Sequence, residues 1–304
     1  KEITKRWLPV NKYVGGAEHA VLHLMYSRFM TMALYDLKYL DFEEPFPSFY
    51  AHGLLIKNGA KMSKSRGNVV VPDEYIKKFG ADTLRCYLMF LGPFDQGGDF
   101  RDTGIEGMYR FLNRVWRLFT QTKDVVLVEA SDSREVLSKM HQTIKKVTKD
   151  IQDFKYNTAI SSLMEFVNLL QEKAGGKVRM AKSGGIRCAE WDEALKTLVK
   201  LLAPFAPHMA EEVWVGVLGQ EFSVHTSPWP KYDIDLAKET ENVIVIQVDG
   251  RLRQQLTINS QQSTMKEEIE KIARKDSKVA KWLGGKKIKK TIFIPGKLIN
   301  FVTR

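Results

Sequence analysis

Apolar residues recur at three- and four-residue intervals through the middle of the chain, and this pattern predicts a bundle of antiparallel helices over residues 103–218. Two prolines interrupt the pattern before the last helix, and a glycine-rich stretch over 174–187 is predicted to be a loop. The four apolar stripes are Ile105, Met108, Phe111, Leu112, Val115, Leu118 and Phe119; Val136, Met140, Ile144, Val147 and Ile151; Ile160, Leu163, Val167 and Leu170; and Leu195, Leu198, Val199 and Leu202.

Residues 1–102 instead mix short apolar runs with glycines, which indicates α/β structure. A strand over 10–14 is followed by Gly15-Gly16 and a helix with spaced apolar residues. A second strand over 49–56 leads through the turn dipeptide Asn58-Gly59 to a polar loop, and two helices are expected after it. The face of the first helix that is expected to be buried consists of Leu22, Met25, Tyr26, Phe29 and Met30.

Residues 242–304 have the pattern of a small α+β domain. A strand over 243–248, the turn dipeptide Asp249-Gly250 and a returning strand predict a hairpin. One basic amphipathic helix is expected over 266–282, and two further strands follow it. A proline-containing stretch with several acidic residues, 219–241, is predicted to be a stiff linker between this domain and the bundle.

Composition and charge narrow the class of protein. Hydrophobic residues make up 44% of the chain and charged residues 27%, as in ordinary globular proteins. The net charge is +11, and +8 of it lies in residues 266–304, where twelve Lys and Arg accompany four Asp and Glu. Such a surface either aids solubility or binds a polyanion, and the second is favoured when the basic residues belong to a folded unit.

The sequence gives no sign of a membrane or a metal site. No apolar run approaches the ~20 residues that a membrane span needs. Cys86 and Cys188 are far apart and lie in no metal-ligand spacing. A cytoplasmic protein with no membrane partner and no metal site of its own is therefore expected.

The segment with the clearest chemistry is Lys61-Met62-Ser63-Lys64-Ser65, followed by Arg66-Gly67-Asn68, which we call the signature loop (residues 61–68). Its ammonium groups suit phosphate oxygens as point charges, with hydroxyls and backbone amides between them. Such a loop accelerates a reaction at the α-phosphate of ATP if it binds the developing charge more tightly than the ground state. A pentapeptide of this composition alone also arises by chance.

The surrounding residues make chance a poor explanation. The loop continues into Pro72-Asp73 and into Phe-Gly-Ala-Asp-Thr-Leu-Arg at 79–85, and the whole run resembles the signature of the class I aminoacyl-tRNA synthetases. Tyr-Val-Gly-Gly-Ala-Glu-His-Ala-Val-Leu-His at 13–23 resembles the leucine branch more than the valine, isoleucine or methionine branches. Residues 110–116 and 201–214 resemble the anticodon-binding domain of these enzymes.

The resemblance implies a multidomain fold: the second half of a Rossmann-like α/β nucleotide-binding fold, then an α-helical anticodon-binding bundle, then a small α+β C-terminal domain that binds tRNA. In this family the reaction is ATP-dependent charging of tRNA(Leu) with leucine, and ATP acts with Mg²⁺. The expected domains are 1–102, 103–218 and 242–304, with the linker 219–241 between the last two.

The resemblance also assigns roles to individual residues. Lys61 and Lys64 would hold the ATP phosphates as the catalytic residues, and Glu18 would accept hydrogen bonds from the ribose hydroxyls. Gly16 would lie against the adenylate, and His52 near the adenosine. The other expected contacts to ATP or the adenylate are Met62, Ser63, Ser65 and Val70.

Two histidines, His19 and His23, stand four residues apart and leave three alternatives open. They could ligate a metal, but no third ligand is evident. They could be ordinary polar residues near a helix start. By the resemblance, they would border the pocket for the amino-acid side chain.

The candidate tRNA contacts are basic residues in the two later domains. Three arginines recur at helical spacing in the bundle, although each one taken singly is as easily an exposed helix-face residue. Phosphate and shape recognition is the expected mode of binding structured RNA. The candidates are Arg110, Arg114 and Arg117 in the bundle and Lys286, Lys287, Lys289 and Lys290 in the C-terminal domain.

One departure from the family governs the expected activity. Class I enzymes of this type carry a His-x-Gly-His motif in the first half of the nucleotide-binding fold, and these 304 residues contain no such motif and no long editing insertion. The chain is therefore expected to be inactive without an N-terminal catalytic half that carries the motif and the editing domain, as a separate subunit or as the rest of the same protein. Its uncovered apolar face is expected to make it unstable or prone to association.

The alternative from another class is a non-catalytic tRNA-binding module. In such a module the site residues should have decayed. Glu18, His19, Lys61 and Lys64 are all present, and this favours a catalytic role.

Overall fold

The computed structural model divides the chain into two compact units, Lys1–Asp233 and Ile234–Arg304, each with its own apolar core. Lys287, Cys188 and most of the stretch 174–187 lie outside the residues that the structure describes. The described residues are 2–121, 130–175, 189–238, 241–259, 266–284, 286, 288–295 and 297–303.

The first unit begins with a short helix and a parallel strand pair. A 3-10 turn (Ala17–Val21) and a helix connect the two strands, whose register pairs Gly16 with His52. The elements are α1 (Glu2–Trp7), β1 (Tyr13–Gly16), α2 (His23–Asp36) and β2 (Phe49–His52).

A three-stranded sheet follows, in which the middle strand is antiparallel to one neighbour and parallel to the other. Its strands are β3 (Leu55–Lys57) in the middle, β4 (Ala60–Lys61) and β5 (Gly98–Phe100). The single strand predicted over 49–56 is thus wrong, because the chain breaks pairing at Gly53 and Leu54. There the Gly53 amide donates to the Phe94 carbonyl (2.8 Å) and the Leu54 carbonyl accepts from Gly98 (3.3 Å).

The apolar face predicted for the first helix is also wrong. Of α2, only Leu24 and Thr31 are buried, and Phe29 is 68% exposed. The predicted stripe lies on the side of α2 that none of the described elements covers, so Leu22, Met25, Tyr26 and Met30 are exposed as well. A helical period shows that a face is apolar; it does not show which element covers it.

The helical bundle carries the large core of the first unit, and the predicted stripes are confirmed as its buried faces, with Ile151 only partly buried. The two helices that follow the signature loop pack onto the core of the bundle. Pro72 stands in the first turn of the earlier helix, where its missing backbone amide costs no hydrogen bond. The helices are α3 (Pro72–Phe79), α4 (Ala81–Phe90), α5 (Asp102–Gln121), α6 (Ala130–Gln152), α7 (Tyr156–Gly175), α8 (Ala189–Leu202) and α9 (Pro207–Glu212), which continues as a π-helical turn, Val213–Val217.

The stretch after the bundle lies against α6 as far as residue 233. The Trp229 indole donates to Thr148 Oγ1 (2.8 Å), and the Asp233 amide donates to His141 Nδ1 (3.1 Å). Val224, in a 3-10 turn, is buried in the same core. Across the described ranges, none of the helices combines the length and apolar character that crossing a membrane requires.

The second unit is a four-stranded sheet with two helices. The order is β7-β6-β9-β8, with the inner pair parallel and the outer pairs antiparallel. Asp249 and Gly250 both have positive φ (52° and 77°), as the two-residue turn between β6 and β7 requires. The elements are β6 (Glu241–Val248), β7 (Arg251–Asn259), α10 (Lys266–Lys275), α11 (Ser277–Leu283), β8 (Lys290–Ile294) and β9 (Leu298–Val302).

The single helix predicted over 266–282 is therefore wrong. Asp276 adopts an extended conformation (φ −65°, ψ 127°), and its carboxylate accepts the amides of Lys278 and Val279 (2.9 and 3.1 Å) as the N-cap of α11. The side-chain amide of Gln254, on β7, donates to the same carboxylate (3.1 Å). The capping signal Asp-Ser was present in the sequence but was hidden by the continuous apolar period on both sides.

Candidate functional site

A β-hairpin presents the signature loop. Asn58 and Gly59 connect β3 to β4 with positive φ (53° and 76°), a geometry that matches the twist of a two-residue hairpin. The loop leaves β4 at Lys61 and forms a 3-10 turn over Lys64–Arg66. This turn ends at Gly67, whose φ of 65° is left-handed. A side chain at Gly67 would be strained by this backbone conformation.

The side chain of Asn68 closes the loop. Its Oδ1 accepts the Ser63 amide (2.8 Å), and its Nδ2 donates to the Lys61 carbonyl (3.2 Å). The hydroxyls of Ser63 and Ser65 are also hydrogen-bonded to each other (2.7 Å). The beginning and the end of the loop are thus joined through Asn68, while the 3-10 turn between them is exposed to solvent.

The cations of the loop are available. Lys61, Lys64 and Arg66 are exposed, and none of them forms an ion pair with a residue that the structure describes. Met62 and Val70 are partly buried and pack against the core of the first unit. The loop is therefore fixed through its apolar residues and Asn68, and its positive charges face solvent.

Asp99 on β5 supports the hairpin from the neighbouring strand. Its Oδ1 accepts the Gly59 amide (3.1 Å), and its Oδ2 pairs with Arg101 Nε (3.0 Å). These contacts, the Gly59 amide first, lower the pKa of the Asp99 carboxyl, because a hydrogen-bonded carboxylate is favoured over the acid.

A second group of polar side chains joins β3 to α3 and α5. Lys57 Nζ donates to Tyr75 Oη (3.3 Å) and lies 3.7 Å from Asp102 Oδ2, and the Tyr75 hydroxyl donates to the Asp102 carboxylate. Only 17% of the Lys57 side chain is exposed. The hydrogen bond to Tyr75, with smaller contributions from Asp102, raises the pKa of the Lys57 ammonium.

Gly53 and Gly97 allow the backbone segment between β2 and β3 to approach closely the segment that precedes β5. A Cβ at Gly53 would lie 2.0 Å from the Gly97 nitrogen, and a Cβ at Gly97 would lie 2.0 Å from the Leu54 carbonyl oxygen. Gly97 also has a positive φ of 78°. The turn between β2 and β3 is thereby locked against the strand that carries Asp99.

Three of the expected nucleotide contacts lie together at the ends of β1 and β2. Gly16 and His52 are paired across the two strands. The Glu18 carboxylate lies against the Gly16 Cα, since a Cβ at Gly16 would come within 2.2 Å of it. His52 is partly buried, and its Nδ1 is 3.0 Å from the Gly53 carbonyl oxygen.

The two histidines lie around the ring of Tyr13. His23 stacks on it (5.5 Å between ring centroids), and its Nδ1 is hydrogen-bonded to the Tyr13 hydroxyl (3.0 Å) while its Nε2 contacts Ser27 Oγ (3.2 Å). His19 lies in the 3-10 turn rather than in the helix, and its Nδ1 is buried without a hydrogen-bond partner. Its ring is edge-on to that of His23 at 6.5 Å.

The structure thus groups the candidates into two clusters. One cluster is Gly16, Glu18, His52 and the histidine pair; the other is the signature loop. Among the described residues, no hydrogen bond, ion pair or ring contact joins the two clusters, although β2 leads directly into β3 and the hairpin. No group of three or more His, Cys, Asp or Glu side chains suited to a metal ion occurs in the described ranges.

A third arrangement joins the α/β part to the bundle. The buried Asp82 carboxylate accepts His208 Nδ1 (2.8 Å) and the Met209 amide (2.7 Å) at the first turn of α9. A cleft of about 300 Å³ lies here. It is lined by Phe79, Gly80, Ala81, Asp82, Thr83, Tyr109, Leu112, Asn113, His208 and Met209.

The candidate tRNA contacts are differently engaged. Arg110 and Arg117 on α5 are exposed and form no ion pair with a described residue, whereas Arg114 Nη1 donates to Asn168 on α7 (2.9 Å). In the second unit, Lys286, Lys289 and Lys290 are all exposed, and Lys290 lies on the edge strand β8.

Two family models match the chain. Residues 1–99 match tRNA synthetases class I (I, L, M and V), and residues 133–270 match the anticodon-binding domain of tRNA ligase. The whole chain is 43% identical over 303 residues to a leucine–tRNA ligase of Dehalococcoides mccartyi. The chain contains class I tRNA synthetase and anticodon-binding domains.

The matched leucine–tRNA ligases are longer than the chain. The Dehalococcoides ligase is covered over 36% of its length, and that of Petrotoga mobilis, 40% identical over 314 residues, over 37%. The chain therefore corresponds to a C-terminal part of leucine–tRNA ligases and spans about 36% of the length of the first of these relatives.

Solved structures of class I synthetases have the same architecture. One is the LeuRS of Agrobacterium radiobacter K84 in a ternary complex with tRNA and LeuAMS, which superposes with a TM-score of 0.69 at 36% identity. The match covers 97% of this chain and 37% of the LeuRS chain. The methionyl-tRNA synthetase of Mycobacterium tuberculosis bound by methionyl-adenylate matches 73% of the chain and 46% of its own at a TM-score of 0.59 and 20% identity, a likeness in fold alone.

The class I synthetase signature alone did not reveal which residues hold the loop. Asn68 was part of the motif but had no role, and Asp99, Lys57 and Tyr75 were not candidates. Asp99 lies forty positions from Gly59 in sequence, so only the parallel pairing of β3 and β5 brings the two together.

Proposed function

We propose that this chain supplies the signature loop, one wall of the ATP and leucyl-adenylate site, and tRNA-binding surfaces to a leucine–tRNA ligase. It works together with a part of the ligase that carries the His-x-Gly-His motif. The observation that carries the proposal is the exposed cationic loop, without an ion pair to any described residue and closed by Asn68 on a hairpin, in a chain that aligns over its whole length with leucine–tRNA ligases.

In this function Lys61 and Lys64 bind oxygens of the ATP phosphates. Because neither ammonium group forms an ion pair with a described residue, binding phosphate breaks no existing ion pair. Charges that are already in position stabilise the charge that develops at the α-phosphate. Ser63 and Ser65 add hydroxyl donors, and Met62 and Val70 set the depth of the loop by packing on the core. The Mg²⁺ that accompanies ATP is held mainly by the phosphates, which matches its preference for few protein ligands.

The cluster at the ends of β1 and β2 binds the nucleoside. The Glu18 carboxylate accepts hydrogen bonds from the ribose hydroxyls, and Gly16, lacking a Cβ, leaves room for that carboxylate against the backbone. His52 lies beside the adenosine. His19 and His23 border the leucine side chain, with Tyr13 holding the His23 ring in place by stacking and a hydrogen bond.

The exposed apolar face of α2 is where the rest of the ligase docks. Four residues of this one helix, Met25, Tyr26, Phe29 and Met30, are each 47–68% exposed and present more apolar area than isolated surface residues do. The matched relatives extend well beyond the aligned third of their length, so they contain additional chain that could cover this surface. Consistent with this, we expect the separate chain to associate at high concentration, which sedimentation velocity measures directly.

The tRNA-binding surfaces are the exposed face of α5, with Arg110, Arg114 and Arg117, and the basic end of the second unit, with Lys286, Lys287, Lys289 and Lys290. The ligand is tRNA(Leu). Because binding through phosphates releases counterions, its affinity falls steeply as the salt concentration rises.

The test is complementation. The chain is mixed with the purified N-terminal part of a related leucine–tRNA ligase, and leucine-dependent ATP–pyrophosphate exchange and leucylation of tRNA(Leu) are measured. We expect activity only from the mixture, and Lys64→Ala to lower the exchange rate by about 100-fold or more, as loss of one transition-state donor does. Lys145→Ala, an exposed lysine on α6, is the matched control and should leave exchange unchanged.

Exchange by the chain alone would overturn the proposed division of labour. Tight binding of tRNA without activity in any complemented mixture, with the N-terminal part shown to be folded and bound, would instead support a non-catalytic tRNA-binding module.

A further inference from the structure

The second unit carries a tryptophan stacked on an arginine at its surface. The Arg253 guanidinium, on β7, lies 3.5 Å from the centroid of the Trp282 ring, on α11. Trp282 is nevertheless 47% exposed. Because the guanidinium covers one face of the indole, the exposed area belongs to the opposite face and the edges.

The pair is held in a fixed position. Asp276 caps α11, and Gln254, the residue after Arg253, donates to the same carboxylate (3.1 Å). Val279 of α11 is fully buried in the core of the unit. The indole therefore stands on a helix that is anchored to the neighbouring strand at two successive positions, and little conformational freedom remains to be lost on binding.

The surroundings are cationic. Lys278 lies four residues before Trp282 and so on the same face of α11, and Lys281 and Lys286 are exposed on either side in sequence. The acidic side chains nearest in sequence are engaged elsewhere, Asp276 in the cap and Glu270 in an ion pair with Arg274 (α10). An aromatic face among exposed lysines suits a nucleobase with its phosphates.

We propose that Trp282 is a stacking platform for an unpaired or terminal base of the bound RNA, with Arg253 supporting it from behind and Lys278 contacting the adjacent phosphate. This inference rests on the proposed function, since it assigns a base contact to the tRNA-binding surface of the second unit. The bland alternative is that the pair only fastens α11 to β7, and a third possibility is that the indole meets a protein surface.

Salt dependence separates these possibilities. Stacking is a contact with a base, so its loss lowers affinity without changing the number of counterions released, whereas loss of a phosphate contact lowers the salt slope by about one. Binding of a labelled tRNA(Leu) transcript to the full chain is measured by fluorescence anisotropy at several salt concentrations. The variants are Trp282→Ala, Trp282→Phe, Lys278→Gln and, as the matched control, Leu252→Ala, an exposed apolar residue beside Arg253.

We expect Trp282→Ala to raise Kd by about 5- to 150-fold at every salt concentration, the range of one base stack. Trp282→Phe should restore most of the affinity, Lys278→Gln should reduce the slope, and Leu252→Ala should do neither. Unchanged affinity in Trp282→Ala, with tRNA still bound, would overturn this inference and leave the proposed function standing. No tRNA binding by the parent chain would count against both.

A second measurement covers the case in which Trp282→Ala unfolds the unit. A stacked base quenches indole fluorescence, so the difference in emission between the parent chain and Trp282→Phe should fall when RNA is added. An unquenched difference signal at saturating RNA would mean that Trp282 only packs against Arg253. Loss of the signal on self-association without RNA would point to a protein surface instead.

Discussion

Asn68 gives the sharpest test of how the signature loop is held. Asn68→Ala removes two hydrogen bonds, those to the Ser63 amide (2.8 Å) and from Nδ2 to the Lys61 carbonyl (3.2 Å). A neutral hydrogen bond contributes about 0.5–1.5 kcal/mol net, and both groups can bond to water once the loop opens, so we take the lower half of that range. The closed loop should lose about 1–2 kcal/mol, which corresponds to about a 5- to 30-fold rise in its opening equilibrium.

Hydrogen–deuterium exchange of the full chain measures this opening without requiring catalysis. In Asn68→Ala, we expect the Ser63 amide and the 3-10 turn after it to exchange about 5- to 30-fold faster, while α5 is unaffected. Asn68→Asp keeps an acceptor for the Ser63 amide, loses the donor to the Lys61 carbonyl and adds a negative charge, so its effect should be intermediate when salt screens that charge. Asn113→Ala, which removes a side-chain bond within α5, is the control.

The reasoning would be refuted if Asn68→Ala left exchange at Ser63 unchanged, or if Asn68→Asp and Asn68→Ala were equally fast. The first result would mean that packing of Met62 and Val70 alone holds the loop. The second would assign the whole effect to the bond with the Lys61 carbonyl. In the complemented ligase, the same opening should reduce ATP–pyrophosphate exchange through a higher KM for ATP.

Three further predictions concern the surroundings of the site. Asp82→Ala should lower the unfolding free energy of the first unit by about 2–3 kcal/mol in urea titration, because it leaves the Met209 amide without its charged acceptor. Burial raises the pKa of the Cys86 thiol to about 12, so in a Cys188→Ser background alkylation near pH 8 should require unfolding. The hydrogen bond from Gly59 lowers the pKa of Asp99, so the carboxylate should stabilise the hairpin fully above about pH 4 and less as the pH falls further. Protection of the Gly59 amide from hydrogen–deuterium exchange should decline over that range, and Asp99→Asn should abolish the decline.

The bundle could be predicted from sequence because each helix packs against others in the same chain. The stripe from Ile105 to Phe119 is apolar on one face, and α5 buries that face in the core. The stripe on α2 has the same period and is exposed, since the described chain provides nothing to cover it. Periodicity therefore identified both faces and could not distinguish a core from an uncovered surface.

Local signals and long-range contacts explain the remaining successes and failures. The turns at Asn58-Gly59 and Asp249-Gly250 followed from residues that tolerate positive φ. The break at Asp276 was missed although its capping residue was in the sequence, because the apolar period continues on both sides of it. The residues that support the hairpin, Asp99, Lys57 and Tyr75, escaped prediction because they have partners on strands and helices far away in sequence.

The distribution of charge around the loop explains why it can be both rigid and receptive. An acidic side chain near Lys61 or Lys64 would pair with it and compete with a phosphate, yet a hairpin needs strong acceptors to be held. The structure meets both needs because the two acids that support the hairpin have other partners: Asp99 is bound to Gly59 and Arg101, and Asp102 to Lys57 and Tyr75. The loop itself is closed by the uncharged Asn68, so its cations remain exposed and unpaired among the described residues.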